Sequence, residues 1–185
     1  MENREILFTF SDLLSYPERE YNFDTQQWRI FVQWLGVEES IAHEIEVYFT
    51  RNDLIDLQEQ YVQFFDLQSV NHLYAGYALL GEDLRRGILL AHLKKEMYEH
   101  AIDLQNELPD YLPKLLQLLA VHTSDDFIRE LNAFLILPAL DRLVESFVPR
   151  EHVFRKILEL LREYLVRLNQ YPIYRVNSIN VTTLK

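Results

Sequence analysis

Residues 154–168 read Phe-Arg-Lys-Ile-Leu-Glu-Leu-Leu-Arg-Glu-Tyr-Leu-Val-Arg-Leu and form the clearest amphipathic helix of the chain. Their apolar side chains recur at intervals of three and four, which places them on one face of a helix, while charged side chains occupy another face. The apolar face consists of Phe154, Ile157, Leu158, Leu161, Leu165 and Leu168. A helix with one long apolar face must bury it against other elements, so this stretch predicts a helical bundle.

The same helical spacing continues through most of the preceding sequence. It predicts helices near residues 6–14, 28–35, 41–49, 54–65, 82–104, 112–119 and 125–147, the last kinked or broken at Pro138. Residues 66–82 show no clear period, and residues 171–185 are β-prone. We predict an all-α, single-domain bundle of about seven to nine helices over residues 1–170, followed by an extended C-terminal tail over 171–185.

Composition and charge narrow the classes of function. The 185 residues include 29 acidic and 18 basic side chains, which gives a net charge of −11. Such a charge repels phosphate backbones and favours a basic partner, for example a peptide that carries arginines. Cysteine is absent, which excludes disulfides and thiolate metal sites. Because the N-terminus does not resemble a signal peptide and no apolar run is long enough to span a bilayer, we expect a soluble cytoplasmic protein.

Three blocks between residues 60 and 113 carry most of the remaining information. They read Gln-Tyr-Val-Gln-Phe-Phe-Asp at 60–66, Leu-Leu-Gly-Glu-Asp-Leu-Arg-Arg-Gly at 79–87 and Glu-Leu-Pro-Asp-Tyr-Leu-Pro at 107–113. None matches a nucleophile turn or a glycine-rich phosphate loop. Their aromatic, acidic and turn-forming residues are more typical of a binding surface than of a catalytic centre.

The charged residues of these blocks lead to specific expectations. Asp66 follows the C-terminal end of a predicted helix, where a carboxylate opposes the helix dipole, so Arg85 or Arg86 is expected to pair with it. A structural salt bridge and an acidic binding site fit this pattern equally well. Asp110 is expected to cap the helix that follows it, and, with Glu107 and an exposed Tyr111, it could bind an arginine side chain.

Two further features concern the predicted long helix. Gly87 lies inside it, and a glycine in that position suggests that another backbone packs closely there. Its charged side chains His92, Glu96, Glu99, His100 and Asp103 include a possible metal-binding face at His92, Glu96 and His100. We favour a solvated helix face, since neither Glu-x-x-His nor His-Glu-x-x-His occurs. A metal-binding helical-bundle enzyme remains the alternative.

In order and spacing the three blocks resemble those of the NarJ-type nitrate reductase assembly chaperones, within the TorD/DmsD group of redox-enzyme maturation proteins. The matching positions are Tyr61-x-x-x-Phe65-Asp66, Gly81-Glu82-x-x-x-Arg86-Gly87 and Glu107-Leu108-Pro109-Asp110-x-Leu112-Pro113. The resemblance covers about the first 150 residues. It departs from the family pattern at Tyr111, where a histidine is usual.

The resemblance implies an all-helical chaperone without enzymatic activity, resident metal or cofactor. Such a protein would bind the twin-arginine-like N-terminal segment of a molybdoenzyme catalytic subunit, most specifically the nitrate reductase alpha subunit, until the molybdenum cofactor is inserted. A structural subunit of the mature reductase is the other alternative, and we expect a monomer or weak homodimer. The implied peptide-binding residues are Tyr61, Phe65, Asp66, Leu80, Gly81, Glu82, Arg86, Glu107, Pro109, Asp110, Tyr111 and Leu112.

Overall fold

The computed structural model describes residues 3–23, 25–67 and 71–170. Within them are ten α-helices: α1 Asn3–Leu13, α2 Gln26–Leu35, α3 Glu39–Arg51, α4 Leu54–Tyr61, α5 Ala75–Leu80, α6 Leu84–Glu99, α7 Leu112–Val121, α8 Asp125–Leu131, α9 Leu137–Ser146 and α10 Val153–Gln170. A π-helical segment, Val62–Asp66, continues α4, and a second, Asn132–Ile136, joins α8 to α9. The described residues therefore form nine continuous helical rods.

The all-α prediction is confirmed over these residues, and the number of rods lies within the predicted range. A π-helical turn takes the place of the kink or break expected at Pro138. It ends at Ile136, and α9 begins at Leu137 with the proline in its first turn. The prediction of an extended tail concerns residues outside the described part of the chain. Residues 75–80, for which the sequence has no clear period, form the short helix α5.

Local sequence sets several helix ends. The side chain of Asp53 accepts a hydrogen bond from the Asp56 amide and caps α4. Gly36 ends α2 in a left-handed conformation with φ 64°. The prediction for α6 is wrong in its last turn, because the helix ends at Glu99 rather than near Leu104. Ala101 turns left-handed, with φ 55°, and the Ile102 amide bonds back to the Met97 carbonyl.

The core is formed largely by α1, α7, α9 and α10. All six apolar residues predicted for the face of α10 are buried. The leucine-rich α7 packs against α1, where the buried Ser11 hydroxyl donates to the Pro113 carbonyl over 3.0 Å. This packing holds the start of α7, and with it the third sequence block, in the interior. None of the described helices is both long and apolar enough to cross a membrane.

Candidate functional site

The third block pairs with the segment that precedes α5. The Leu112 amide donates to the Leu73 carbonyl over 2.7 Å, and the Ala75 amide donates to the Asp110 carbonyl over 2.8 Å. These bonds flank an isolated antiparallel bridge between Tyr74 and Tyr111. Residues 73–75 of the ambiguous region are therefore positioned by long-range backbone pairing.

The first block meets the third through two tyrosines. The hydroxyl groups of Tyr61 and Tyr111 are hydrogen-bonded to each other, and both lie within hydrogen-bond distance of the Leu14 carbonyl oxygen. Both side chains are buried, so the expectation of an exposed Tyr111 is wrong. The helical spacing that places Tyr61 in the core extends to Phe65, whose ring centroid lies 4.9 Å from that of Tyr61.

The second block is tied to the third by a buried ion pair. Arg86 Nε donates to Asp110 Oδ2 over 2.9 Å, and the Tyr77 amide donates to the same oxygen over 3.1 Å. The Asp110 side chain is 0% exposed and that of Arg86 is 14% exposed. The Arg86 guanidinium also lies 5.1 Å from the Tyr77 ring centroid, which is a cation–π contact. Removal of either partner of such a buried pair leaves an uncompensated buried charge, which strongly destabilises the folded state.

This ion pair corrects two predictions from the sequence. Asp110 does not cap α7, because Tyr111 occupies the N-cap position and Asp110 points to Arg86. Asp110 is also not accessible to a ligand in this conformation, since it is fully buried. Its role is to position the surrounding segments.

The close approach expected at Gly87 occurs at Gly76 instead. A Cβ atom at Gly87 would meet no atom within 4 Å, whereas at Gly76 it would lie 2.7 Å from Asp110 Oδ2 and 3.1 Å from Leu89 Cδ2. Because Gly76 has no side chain, the Asp110 carboxylate can pack directly against the backbone of α5. Helical periodicity alone could not have distinguished these two glycines, because the difference depends on a residue 34 positions away.

Where the first and third blocks meet, a small cavity opens, which we call the acidic aromatic cavity. It has a volume of about 90 Å³ and is lined by Tyr16, Tyr61, Phe65, Asp66, Leu73, Tyr74, Glu107 and Tyr111. Among the described residues, the lining contains two carboxylates and no arginine, lysine or histidine. The predicted salt bridge of Asp66 with Arg85 or Arg86 is wrong, because Arg85 pairs with Asp83 and Arg86 with Asp110.

The electrostatics of this cavity favour a cation. Partial burial raises the pKa of Asp66, and the Glu107 carboxylate raises it further. Glu107 is oriented by the Tyr74 hydroxyl, which donates to Oε2 over 2.7 Å. Burial also raises the pKa of Tyr111, so this phenol stays neutral at physiological pH. The cavity combines negative charge with aromatic faces, which are the two features that bind a guanidinium or ammonium group.

The other predicted site residues divide into buried and accessible positions. Phe65, Pro109 and Leu112 are buried, and of these only Phe65 lines the cavity. Gly81 forms the left-handed turn between α5 and α6, with φ 59°, beside the half-buried Leu80 and the exposed Glu82.

Sequence reasoning missed several residues at or near this region. Tyr16 and Tyr74 line the cavity, and neither belongs to the three blocks. Leu84 and Ile88 lie one helical turn apart at the start of α6 and are 90% and 73% exposed. Their spacing suits a helix, but the sequence does not reveal that this side of α6 is left uncovered by the described residues.

The metal-binding face that the sequence left as an alternative is also rearranged. Glu96 of α6 and His100, which follows α6, lie next to His122, which follows α7, and their ligand atoms are all within 4.8 Å of one another. His92 is not part of this cluster, and its ring lies 6.5 Å from that of Phe127. The sequence offered no sign of His122, because it is 22 residues from His100.

The fold and the joined blocks define an all-helical protein with an acidic aromatic cavity, as the resemblance to the TorD/NarJ group implies. No protein-family model matches the chain. Among curated proteins, it is similar to the "Probable nitrate reductase molybdenum cofactor assembly chaperone NarJ" of Bacillus subtilis (strain 168), with 36% identity over 126 residues. The aligned region covers 64% of this chain and 66% of that relative, just under two thirds of its length. This similarity confirms the predicted resemblance to the NarJ-type assembly chaperones.

Proposed function

We propose that this protein is a cytoplasmic assembly chaperone for a molybdoenzyme, most specifically a nitrate reductase. It binds the N-terminal segment of the catalytic alpha subunit and holds that subunit until the molybdenum cofactor is inserted. The proposal is supported by the similarity to the Bacillus subtilis protein, whose name states such a role, and by the three sequence blocks.

The observation that carries the proposal is the acidic aromatic cavity. Its two carboxylates, Asp66 and Glu107, face no cationic side chain among the described residues that line the cavity. One guanidinium group of a client peptide would supply the missing positive charge and could form charge-assisted hydrogen bonds to both. Tyr16 and Tyr74 offer ring faces for the same group.

A second part of the client segment requires an apolar surface. The exposed Leu84 and Ile88 provide one, and the exposed carboxylate of Glu82 lies two residues before Leu84 in the chain. In such a binding mode, apolar anchors supply most of the affinity, while carboxylates orient the basic residues and accelerate association. The twin-arginine-like segment predicted as the ligand combines both kinds of side chain.

The ion pair between Arg86 and Asp110 acts indirectly in this proposal. It fixes the relative positions of α5, α6 and the third block, and therefore the position of Glu107. No step of bond making or breaking is assigned to these residues. The proposed activity is binding and release, without catalysis.

The binding proposal can be tested by calorimetry with a synthetic peptide of the alpha-subunit N-terminus. The Asp66→Asn, Glu107→Gln double variant keeps the shape of the cavity but removes both charges. A hydrogen bond to a charged group contributes about 1.5–3 kcal/mol, and the exposure of Asp66 reduces its share, so Glu107 alone accounts for at least about tenfold and we expect binding to weaken by more than about tenfold.

A matched control is the Glu130→Gln, Glu163→Gln variant, which removes two exposed carboxylates from other helices. It changes the net charge by the same amount and tests for nonspecific attraction. Equal weakening in both double variants would refute the assignment of the cavity. Unchanged binding in both would have the same consequence.

The chaperone role itself can be tested by capture of the client from cells. The protein, used as bait, should retain the alpha subunit mainly when cofactor synthesis is blocked. A structural subunit would instead remain with the active enzyme at fixed stoichiometry. Persistent association with cofactor-loaded reductase would therefore contradict a chaperone that leaves.

A further inference from the structure

We infer that Glu96, His100 and His122 form a binding site for a divalent transition metal of the zinc class. The site joins the C-terminal end of α6 to the connection between α7 and α8. It shares no residue with the acidic aromatic cavity and does not depend on the proposed chaperone function. Two imidazoles and one carboxylate are a common protein ligand set for zinc that leaves a fourth position for water or another ligand.

The separations fit a metal better than a direct hydrogen bond. His122 Nε2 lies 3.4 Å from Glu96 Oε2, which is longer than an ordinary hydrogen bond between nitrogen and oxygen. Ligand bonds of about 2.0–2.1 Å in tetrahedral geometry place two ligand atoms about 3.4 Å apart. The most distant pair of ligand atoms in the cluster is within 4.8 Å, so modest side-chain rotation brings all three to a common centre.

Surrounding contacts orient two of the ligands. His100 Nδ1 lies 2.9 Å from the Glu96 carbonyl oxygen, so this nitrogen carries the proton and Nε2 keeps its lone pair for a metal. His122 packs between His100 and Phe127, with ring centroids 4.4 Å and 4.0 Å away. Its side chain is 9% exposed and that of Glu96 is 14% exposed, so water competes weakly with a metal at this position.

The protonation of His122 changes when a metal binds. Its Nδ1 accepts a hydrogen bond from the Ser124 amide over 3.1 Å, which places the ring proton on Nε2 in the metal-free form. When a metal binds to Nε2, this proton moves to Nδ1. Nδ1 can then no longer accept the hydrogen bond from the Ser124 amide. The Ser124 side chain caps α8, so metal binding is coupled to the start of that helix.

The expected consequence is a metal-dependent connection between α6 and the α7–α8 segment. A ligand that binds only the folded state raises its stability as the ligand concentration exceeds the dissociation constant. Zinc should therefore raise the melting temperature of the protein.

The experiment uses untagged full-length protein and zinc chloride, with bound metal counted by elemental analysis after gel filtration. Cobalt(II) serves as a spectroscopic probe, since tetrahedral coordination gives characteristic visible absorption. We expect one zinc per chain and a higher melting temperature. The His100→Gln and Glu96→Gln variants, each at a half-buried position, should bind at least tenfold more weakly.

His92→Gln is the matched control, because it removes an exposed histidine from the same helix but outside the cluster. It should bind zinc like the wild type. Absence of stoichiometric zinc in folded wild-type protein would overturn the inference, as would equal binding by His100→Gln and His92→Gln. Client peptide binding by Glu96→Gln should be unchanged, which separates this test from that of the cavity.

Discussion

Replacement of Arg86 by methionine should destabilise the protein strongly, because it leaves the Asp110 carboxylate buried with one remaining donor. Asp110 is 0% exposed, loses the two donated bonds from Arg86 and keeps the bond from the Tyr77 amide. Breaking a buried ion pair by removal of one partner costs about 3–5 kcal/mol. We therefore expect the free energy of unfolding to fall by about 4 kcal/mol at pH 7.

Urea denaturation followed by far-UV circular dichroism measures this fall in the free energy of unfolding directly. The Arg86→Met, Asp110→Asn double variant should be more stable than Arg86→Met alone, because the second change removes the uncompensated charge. Arg85→Met is the matched control, since its partner is the exposed Asp83 and its own side chain is 72% exposed. Equal stability of the Arg85 and Arg86 variants would refute the reasoning, as would strict additivity in the double variant.

Two further predictions concern packing and pH. Gly76→Ala should lower the free energy of unfolding by about 1–3 kcal/mol, because the added methyl group clashes with Asp110. Gly87→Ala, in open space within α6, should instead raise the free energy of unfolding by about 1 kcal/mol. Urea denaturation that ranks the two variants in the opposite order would contradict this prediction. Burial against Phe64 lowers the pKa of His152 to about 4, so its contribution to stability is complete above pH 6.5 and is lost as the pH falls towards 4. His152→Gln should flatten the pH dependence of stability in that window, and an unchanged slope in urea melts from pH 7 to pH 4 would count against this origin.

Local sequence signals determined the helices and several of their ends. The apolar spacing of α10 predicted a buried face because helical geometry alone brings residues three and four apart together. Asp53 and Gly36 act at helix ends through bonds to backbone groups within a few residues, so their roles depend on little beyond the adjacent sequence. The order and spacing of the three blocks likewise sufficed for the resemblance that the Bacillus subtilis relative confirms.

Only the tertiary structure decided which charged groups are available for binding. Asp66 and Asp110 have the same side chain, and the sequence suggested a binding role for both. Packing buries Asp110 against Arg86 and leaves Asp66 beside Glu107, where none of the described lining residues is cationic. Packing likewise brings His122, which follows α7, next to Glu96 of α6, although the two residues are distant in sequence. Charges interact through space over a few ångströms, so residues distant in sequence determine whether a carboxylate is neutralised or remains open to a ligand.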